Sequence, residues 1–220
     1  MNDTNASIKK RFRVVAASRT FRNLREAFDL ERRAVFDIGC SYGEFLAHFG
    51  PGSAGITIAP EESAYARGCG LDVIVGNIED PLFTQAVGRR FDAVFANNIF
   101  EHLYSPHAFL LGVKTLLTQD GVLILGVPCV PKIVSFMRVQ KFRGALASQH
   151  INFFTRDTLR LTVESAGWTV EDVRGFRFGS RTANHAINFV YPHFYVIARP
   201  DATFAYSEKR QKELRGYRSI

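Results

Sequence analysis

Alternation constrains this chain more than any other feature. Val35–Ile38, Ala54–Ile58, Asp72–Val75, Asp92–Ala96 and Val122–Val127 read as short apolar strands. Helical segments separate them: one from Gly43, one from Pro60 with Glu61 and Glu62 favouring its N-terminus, and two near Pro81–Val87 and Pro106–Leu117. Strands alternating with helices predict parallel pairing through right-handed crossovers, hence an α/β sheet with helices on both faces. Before the first strand, Phe12, Val15, Phe21, Leu24 and Phe28 recur at roughly helical spacing, which predicts a helical N-terminal extension over residues 1–33. After the fifth strand the spacing predicts a helix from about Thr155 to Ala166 closed by Gly167, then strands at Trp168–Val173 and His193–Ala198. Residues 201–220 are polar and basic and read as a surface helix or a loose tail.

With 220 residues, 46% of them apolar, the chain can bury a full core, and its length suits one domain. No apolar run approaches the ~20 residues that span a bilayer, and the N-terminus lacks the apolar core of a signal peptide. Cys40, Cys69 and Cys129 lie far apart with no CxxC pair, against a disulfide framework or a structural zinc site. A cytoplasmic, reducing location is expected. The net charge of +7 is unevenly spread: residues 34–128 hold 4 basic and 10 acidic side chains, while residues 176–220 hold 8 basic and 3 acidic. The basic character therefore belongs to what surrounds the acidic middle, as solvated surface or as a phosphate-binding face.

In an open parallel sheet, ligands bind beyond the carboxyl ends of the strands, so the turn after the first strand is where a site is expected. It reads Asp37-Ile38-Gly39-Cys40-Ser41-Tyr42-Gly43-Glu44. A dinucleotide fold places G-x-G-x-x-G there so that backbone can approach a pyrophosphate. Here the second and third glycines are missing and Glu44 stands at the third position, which disfavours NAD, and no Walker pattern exists. A carboxylate at a buried strand end, such as Asp37, costs several kcal/mol unless a cation or hydrogen-bond donors meet it.

The segment "DIGCSYG" resembles the first motif of the class I S-adenosylmethionine-dependent methyltransferases, and the resemblance extends over roughly Val35 to Arg199. It implies a Rossmann-like, doubly wound, mostly parallel seven-stranded sheet with an antiparallel last strand, in a domain of residues 34–200. It also implies S-adenosylmethionine as cofactor, with Asp37, Gly39, Cys40 and Gly43 shaping its berth. In "GITIAP", Thr57 stands where the family usually places an acid for the ribose hydroxyls, so Glu61 or Glu62 substitutes or binding is weaker. In "VGNIED", Asn77 would meet the adenine amino group and the Ile78 backbone the ring. "FDAVFANNIFEHL" is similar to the fourth-strand motif, with Asn97 and Asn98 closing the strand over the methionine end and Glu101-His102 opening the next helix. "QHINFFTRDTLRLTVESAGWTV" resembles a subgroup of small-molecule and glycan methyltransferases, with the overall layout of the ubiquinone-pathway O-methyltransferases.

A hydroxyl acceptor must lose a proton, and imidazole suits that task near neutral pH, which makes His150 and His102, with Glu101 beside them, the catalytic candidates. Related enzymes hold a divalent metal with an E-x-x-E-H pattern and a later histidine. This chain has Asn98 in place of the first glutamate, so no metal is expected. The basic, amphipathic stretch 131–149, with Lys132, Arg138, Lys141 and Arg143, reads as a lid over an anionic acceptor. A small-molecule, sugar or lipid-linked acceptor is expected, with RNA as the alternative substrate and peripheral membrane contact through the basic tail as a further possibility. The non-enzyme alternative is a scaffold of the same fold that has lost its cofactor.

Overall fold

The computed structural model of the chain describes residues 2–80, 82–131 and 149–209. The lid expected over 131–149 lies outside the described residues at 132–148, and so does the tail beyond Lys209. Seven strands form one sheet: β1 (Val35–Ile38), β2 (Ala54–Thr57), β3 (Val73–Val75), β4 (Phe91–Asn97), β5 (Leu117–Pro128), β6 (Trp168–Arg174) and β7 (His193–Pro200). Their order is β3-β2-β1-β4-β5-β7-β6. Strands β1 to β5 pair in parallel, and β7 lies antiparallel between β5 and β6. The doubly wound sheet with an antiparallel last strand, expected from the resemblance, is the observed fold.

Strand periodicity sorts the core into two layers, because successive side chains point to opposite faces. Phe36, Ile38, Val94, Ala96, Leu123 and Leu125 share one cluster with Phe109 and Leu110 of α5 (Pro106–Val113) and with Leu159 and Val163 of α6 (Arg156–Ser165). Val35, Ala93, Phe95, Val122 and Ile124 face the other way, onto Phe21 and Leu24 of α2 (Arg19–Phe28). Helix α2 starts because Ser18 accepts from the Phe21 amide at 3.2 Å, which also ends α1 (Asn2–Ala17). The N-terminal stretch expected to be helical is therefore two helices, and its apolar stripe is part of the sheet's core. Helix α6 begins with Thr155 and Thr158 in a reciprocal capping box and ends before Gly167, whose φ of 76° suits only glycine without strain.

Two expectations are corrected. No α-helix follows Gly43: residues 41–45 form turns and Leu46–His48 a 3-10 turn. Ser41 and Gly43 are both left-handed, at φ 49° and 87°, so the backbone does not settle into a right-handed helix until past Gly43. Gly50 and Pro51 then close the connection before another turn can form. The second strand ends at Thr57 rather than Ile58, whose side chain is 73% exposed. A further helix, α7 (Arg181–Ile187), lies between the last two strands, where the sequence analysis assigns no element; Ser180 caps it by accepting from the Ala183 amide. The remaining helices, α3 (Pro60–Gly68) and α4 (Phe83–Val87), stand where the spacing predicts them, although α4 is short.

Candidate active site at the carboxyl edge of the sheet

The chain winds from β1 outward to β3, then crosses back to β4, so the strand order reverses between β1 and β4. A crevice opens at such a point because the two flanking crossovers leave in opposite directions. Gly39 leaves β1 at φ 73°, and a Cβ there would overlap the Ile99 side chain. The Gly39 and Cys40 amides both donate to the Ile56 carbonyl, at 2.9 and 3.0 Å, which folds the turn back over β2. Cys40 fits beneath it because Gly55 has no side chain: a Cβ on Gly55 would meet the Cys40 sulfur at 2.6 Å. Burial pushes the Cys40 thiol far up, so it acts here as a small apolar residue.

Beside this turn lies a cavity of about 290 Å³. Ile56, Ile58, Ile78, Ile99 and Leu103 make its apolar walls, and Ser41, Thr57, Glu62 and Asn77 supply polar groups. Glu62, in the first turn of α3, accepts from the Ser41 hydroxyl at 2.9 Å and from the Thr57 hydroxyl at 2.8 Å. The cavity thus has a carboxylate after all, brought from the helix to the place where β2 ends in a hydroxyl. Of the two glutamates considered from sequence, it is Glu62 that lines the cavity. Asn77 holds its own loop, its Oδ1 accepting from the Glu79 amide at 2.9 Å, and its side chain stays exposed on the cavity wall.

Asp37 sits below this turn at 2% exposure and is not among the cavity's lining residues. Among the described residues, its Oδ2 has no hydrogen-bond partner. Burial raises its pKa well above the usual carboxylate range and nearby Glu44 adds to the shift, while the Leu46 amide opposes it. Glu44, 5% exposed, accepts from Arg11 of α1 at 2.8 Å. Cys40 and Gly43 are likewise parts of the turn rather than lining residues of the cavity. Asn97, at the end of β4, rests its Oδ1 over Gly126, where a Cβ would overlap both that oxygen and the Tyr195 ring. This oxygen too is buried without a partner among the described residues.

Next to the cavity, His102 and His150 meet over Glu101. Their Nε2 atoms lie 3.8 and 3.9 Å from Glu101 Oε1, and the two rings contact edge-on at 4.9 Å. The backbone explains why residues so far apart in sequence converge: the amides of Ile151 and Asn152 both donate to the Glu101 carbonyl at 3.0 Å. The Asn152 side chain also donates to the Leu103 carbonyl at 2.6 Å. Glu101 is 1% exposed, and burial raises its pKa against the opposing pull of His102. The three candidate ligand atoms lie within 4.8 Å of one another.

Sequence reasoning missed His193. At the start of β7, its Nε2 meets Asn98 Oδ1 at 2.8 Å, and burial lowers its pKa to about 4. The only available signal was its place at the head of the last strand, where an antiparallel strand brings its first residue to the ligand edge. Asn98 is left-handed, at φ 56°, and this contact turns its carboxamide toward β7. Cys129 is fully buried with its thiol pushed up to about 12, as befits a core residue.

A seven-stranded sheet of this order, with a glycine turn at the β1–β4 switch point and a carboxylate-bearing cavity beside it, defines the class I methyltransferase architecture. The sequence comparisons agree. A family profile described as a methyltransferase domain matches residues 8–173. The ubiquinone biosynthesis O-methyltransferase of Xanthomonas axonopodis pv. citri is 27% identical over an alignment covering 66% of each chain. That of Dinoroseobacter shibae is also 27% identical, over 71% of this chain and 68% of its own. The chain spans about two thirds of the length of these curated relatives. Among solved structures, an S-adenosylmethionine-dependent methyltransferase from Archaeoglobus fulgidus superposes with a TM-score of 0.60 at 18% identity, over 88% of this chain and 98% of its own, a likeness of fold. The protein belongs to the class I S-adenosylmethionine-dependent methyltransferase family. No helix among the described residues is long and apolar enough to cross a membrane.

Proposed function

We propose that the protein transfers a methyl group from S-adenosylmethionine to a hydroxyl of a small-molecule, sugar or lipid-linked acceptor. The observation that carries this reading is Glu62, a carboxylate held by Ser41 and Thr57 on the wall of an otherwise apolar cavity at the switch point. Its position suits a ribose diol, with Asn77 and Ile78 further along the wall for an adenine ring. The unpartnered oxygens of Asp37 and Asn97 suit an ammonium group at the other end of the same ligand. When bound, the cofactor supplies a methyl group on a positively charged sulfur. The chain's own part is to align donor and acceptor, worth ~7–11 kcal/mol when the geometry is good, and to accept the acceptor's proton. The Glu101, His102 and His150 cluster is assigned to that proton, with Glu101 orienting the imidazoles. The hydroxyl acceptor is supported by the two relatives, both ubiquinone biosynthesis O-methyltransferases, and by this cluster.

The test of the carrying observation is Glu62→Gln. Losing a charge-assisted bond to the ribose should weaken binding of S-adenosylmethionine or its demethylated product about 5- to 20-fold by calorimetry, with the fold intact. Unchanged affinity would remove Glu62 from the site. Absence of any binding heat in the unaltered protein at millimolar ligand would favour the non-catalytic scaffold instead.

The approach of Glu101, His102 and His150 favours a second reading, in which these groups hold a divalent cation that imidazole and carboxylate ligands suit. Asn98, which would be the fourth ligand, is instead engaged by His193. Activity is therefore expected to survive exhaustive chelation within about twofold. A tenfold loss restored by adding back manganese or zinc would transfer the cluster to the metal reading.

A further inference from the structure

Helix α1 reaches the turn that follows β1 with one of its faces. Ile8, Arg11, Phe12 and Val15 share that face by their spacing of three and four residues. Ile8 and Val15 are buried, Phe12 approaches the Tyr65 ring of α3 at 6.4 Å, and Tyr65 meets Tyr42 edge-on at 5.6 Å. Arg11 is the charged member of the face. Its guanidinium stands 5.3 Å from the centre of the Tyr42 ring and donates through Nε to Glu44 Oε1 at 2.8 Å, whereas Lys9, Lys10 and Arg13 stay exposed.

What Arg11 neutralises is a buried acid next to Asp37. Glu44 is 5% exposed and Asp37 2%, and each has one carboxylate oxygen, Oε2 and Oδ2, without a hydrogen-bond partner among the described residues. The two acids feel each other: after burial, Glu44 is the next cause that holds Asp37 above the usual carboxylate range. The Cys40 thiol responds to Asp37, Glu44 and Glu62 together, so the acids of the turn and of α3 gather around one sulfur. The residues paired with Asp37 on the flanking strands, Gly55 and Phe95, carry no charge. Among the described residues, Arg11 is the cation paired with Glu44. Without it, two buried carboxyls would face each other uncompensated, and such a pair keeps a proton between them at a pH where either alone would ionise.

We propose that Arg11 is a positioning residue for the cofactor: by holding Glu44 in an ion pair, it leaves Asp37 free to face the cofactor's ammonium group as a carboxylate. Helix α1 thereby takes part in a site to which it contributes no lining residue. The ammonium half of this rests on the nucleoside reading of the cleft; the coupling of Arg11 to Asp37 through Glu44 does not.

The experiment is calorimetry of the demethylated cofactor against the full-length protein and its R11Q, R11K and R11Q/E44Q variants, from pH 6 to pH 8.5. In R11Q the affinity is expected to fall about tenfold at pH 6, because binding must first expel the shared proton, and to return to within about twofold at pH 8.5. R11K keeps the charge and should lose less than about threefold at pH 6. Removing the second acid along with the cation, in R11Q/E44Q, should restore most of the affinity lost at pH 6. A loss in R11Q that is the same at every pH and is not relieved by E44Q would overturn the proposal and leave Arg11 as a fastening for α1. Unchanged affinity in R11Q would overturn it as well. If the unaltered protein binds no ligand at all, the nucleoside reading fails, and the coupling is read from stability in denaturant instead. A raised folded pKa means stability is lost as pH rises through it, so the destabilisation by R11Q should be largest near neutral pH and fade toward pH 4. It should shrink by about half or more in a D37N background. An equal loss with and without Asp37 would end the coupling too.

Discussion

Replacing Asp37 with asparagine is expected to make the ligand-free protein more stable and to weaken its binding of S-adenosylmethionine. The carboxyl is 2% exposed, and one of its oxygens lacks a partner among the described residues. Burial and Glu44 raise its pKa, so the native state holds this proton more tightly than the unfolded chain does. The sign follows: the stabilisation is fully present below the unfolded carboxyl's pKa and is lost as pH rises through the folded value. At neutral pH the native state therefore bears a desolvation cost that asparagine does not. Its carboxamide can still accept from the Leu46 amide and can donate toward the unpartnered Oε2 of Glu44. A gain of about 1–3 kcal/mol, roughly 3–10 °C in Tm, should appear near pH 7 and shrink toward pH 4. Binding of S-adenosylmethionine should weaken about 10- to 100-fold, the worth of one hydrogen bond to a charged partner. A variant that is less stable at neutral pH, or one that binds as before, would refute this account of Asp37.

His150→Gln should act at the opposite end of the site. The imidazole is 8% exposed, 3.9 Å from Glu101 and in edge contact with His102, so glutamine keeps the bulk of the side chain and removes the base. Acceptor turnover is expected to fall about 10²- to 10⁴-fold, the usual contribution of a positioned proton acceptor, while cofactor affinity changes less than twofold. The split matters more than the size of the loss. A residue that only tied segment 149–152 to the strand-end loop would, when replaced, loosen the wall at His102 and Leu103 and weaken cofactor binding too. Equal losses in binding and turnover would therefore reassign His150 to a supporting role.

The fold was legible because its strands follow the rules of local patterning. Phe36 and Ile38 on one face with Val35 and Asp37 on the other is a period of two, and Ser18, Thr155 and Gly167 mark helix ends by their own chemistry. Reading the helix after Gly43 failed because the left-handed backbone at Ser41 and Gly43 is a property of the turn's closure onto Ile56, which no residue type announces when it is serine. The cavity beside the glycine turn was half legible. Asp37, Gly39, Thr57 and Asn77 could be placed in register with one another because each stands at a strand end. Choosing Glu62 over Glu61 required knowing which side of the first turn of α3 faces Thr57.

Patterning along the chain determined the alternating α/β layers, the strand-end positions of Asp37 and Asn97, and a glycine turn unsuited to a pyrophosphate. These are local matters, set by backbone preference and by the burial of one face or two. Only the tertiary structure decided that Glu101, His102 and His150 converge, that His193 meets Asn98 across 95 positions of sequence, and that Glu62 supplies the acid β2 lacks. Such meetings depend on strand order and on which way β7 runs. Those are global outcomes of packing two helical layers on one sheet, and periodicity within a single segment carries no record of them.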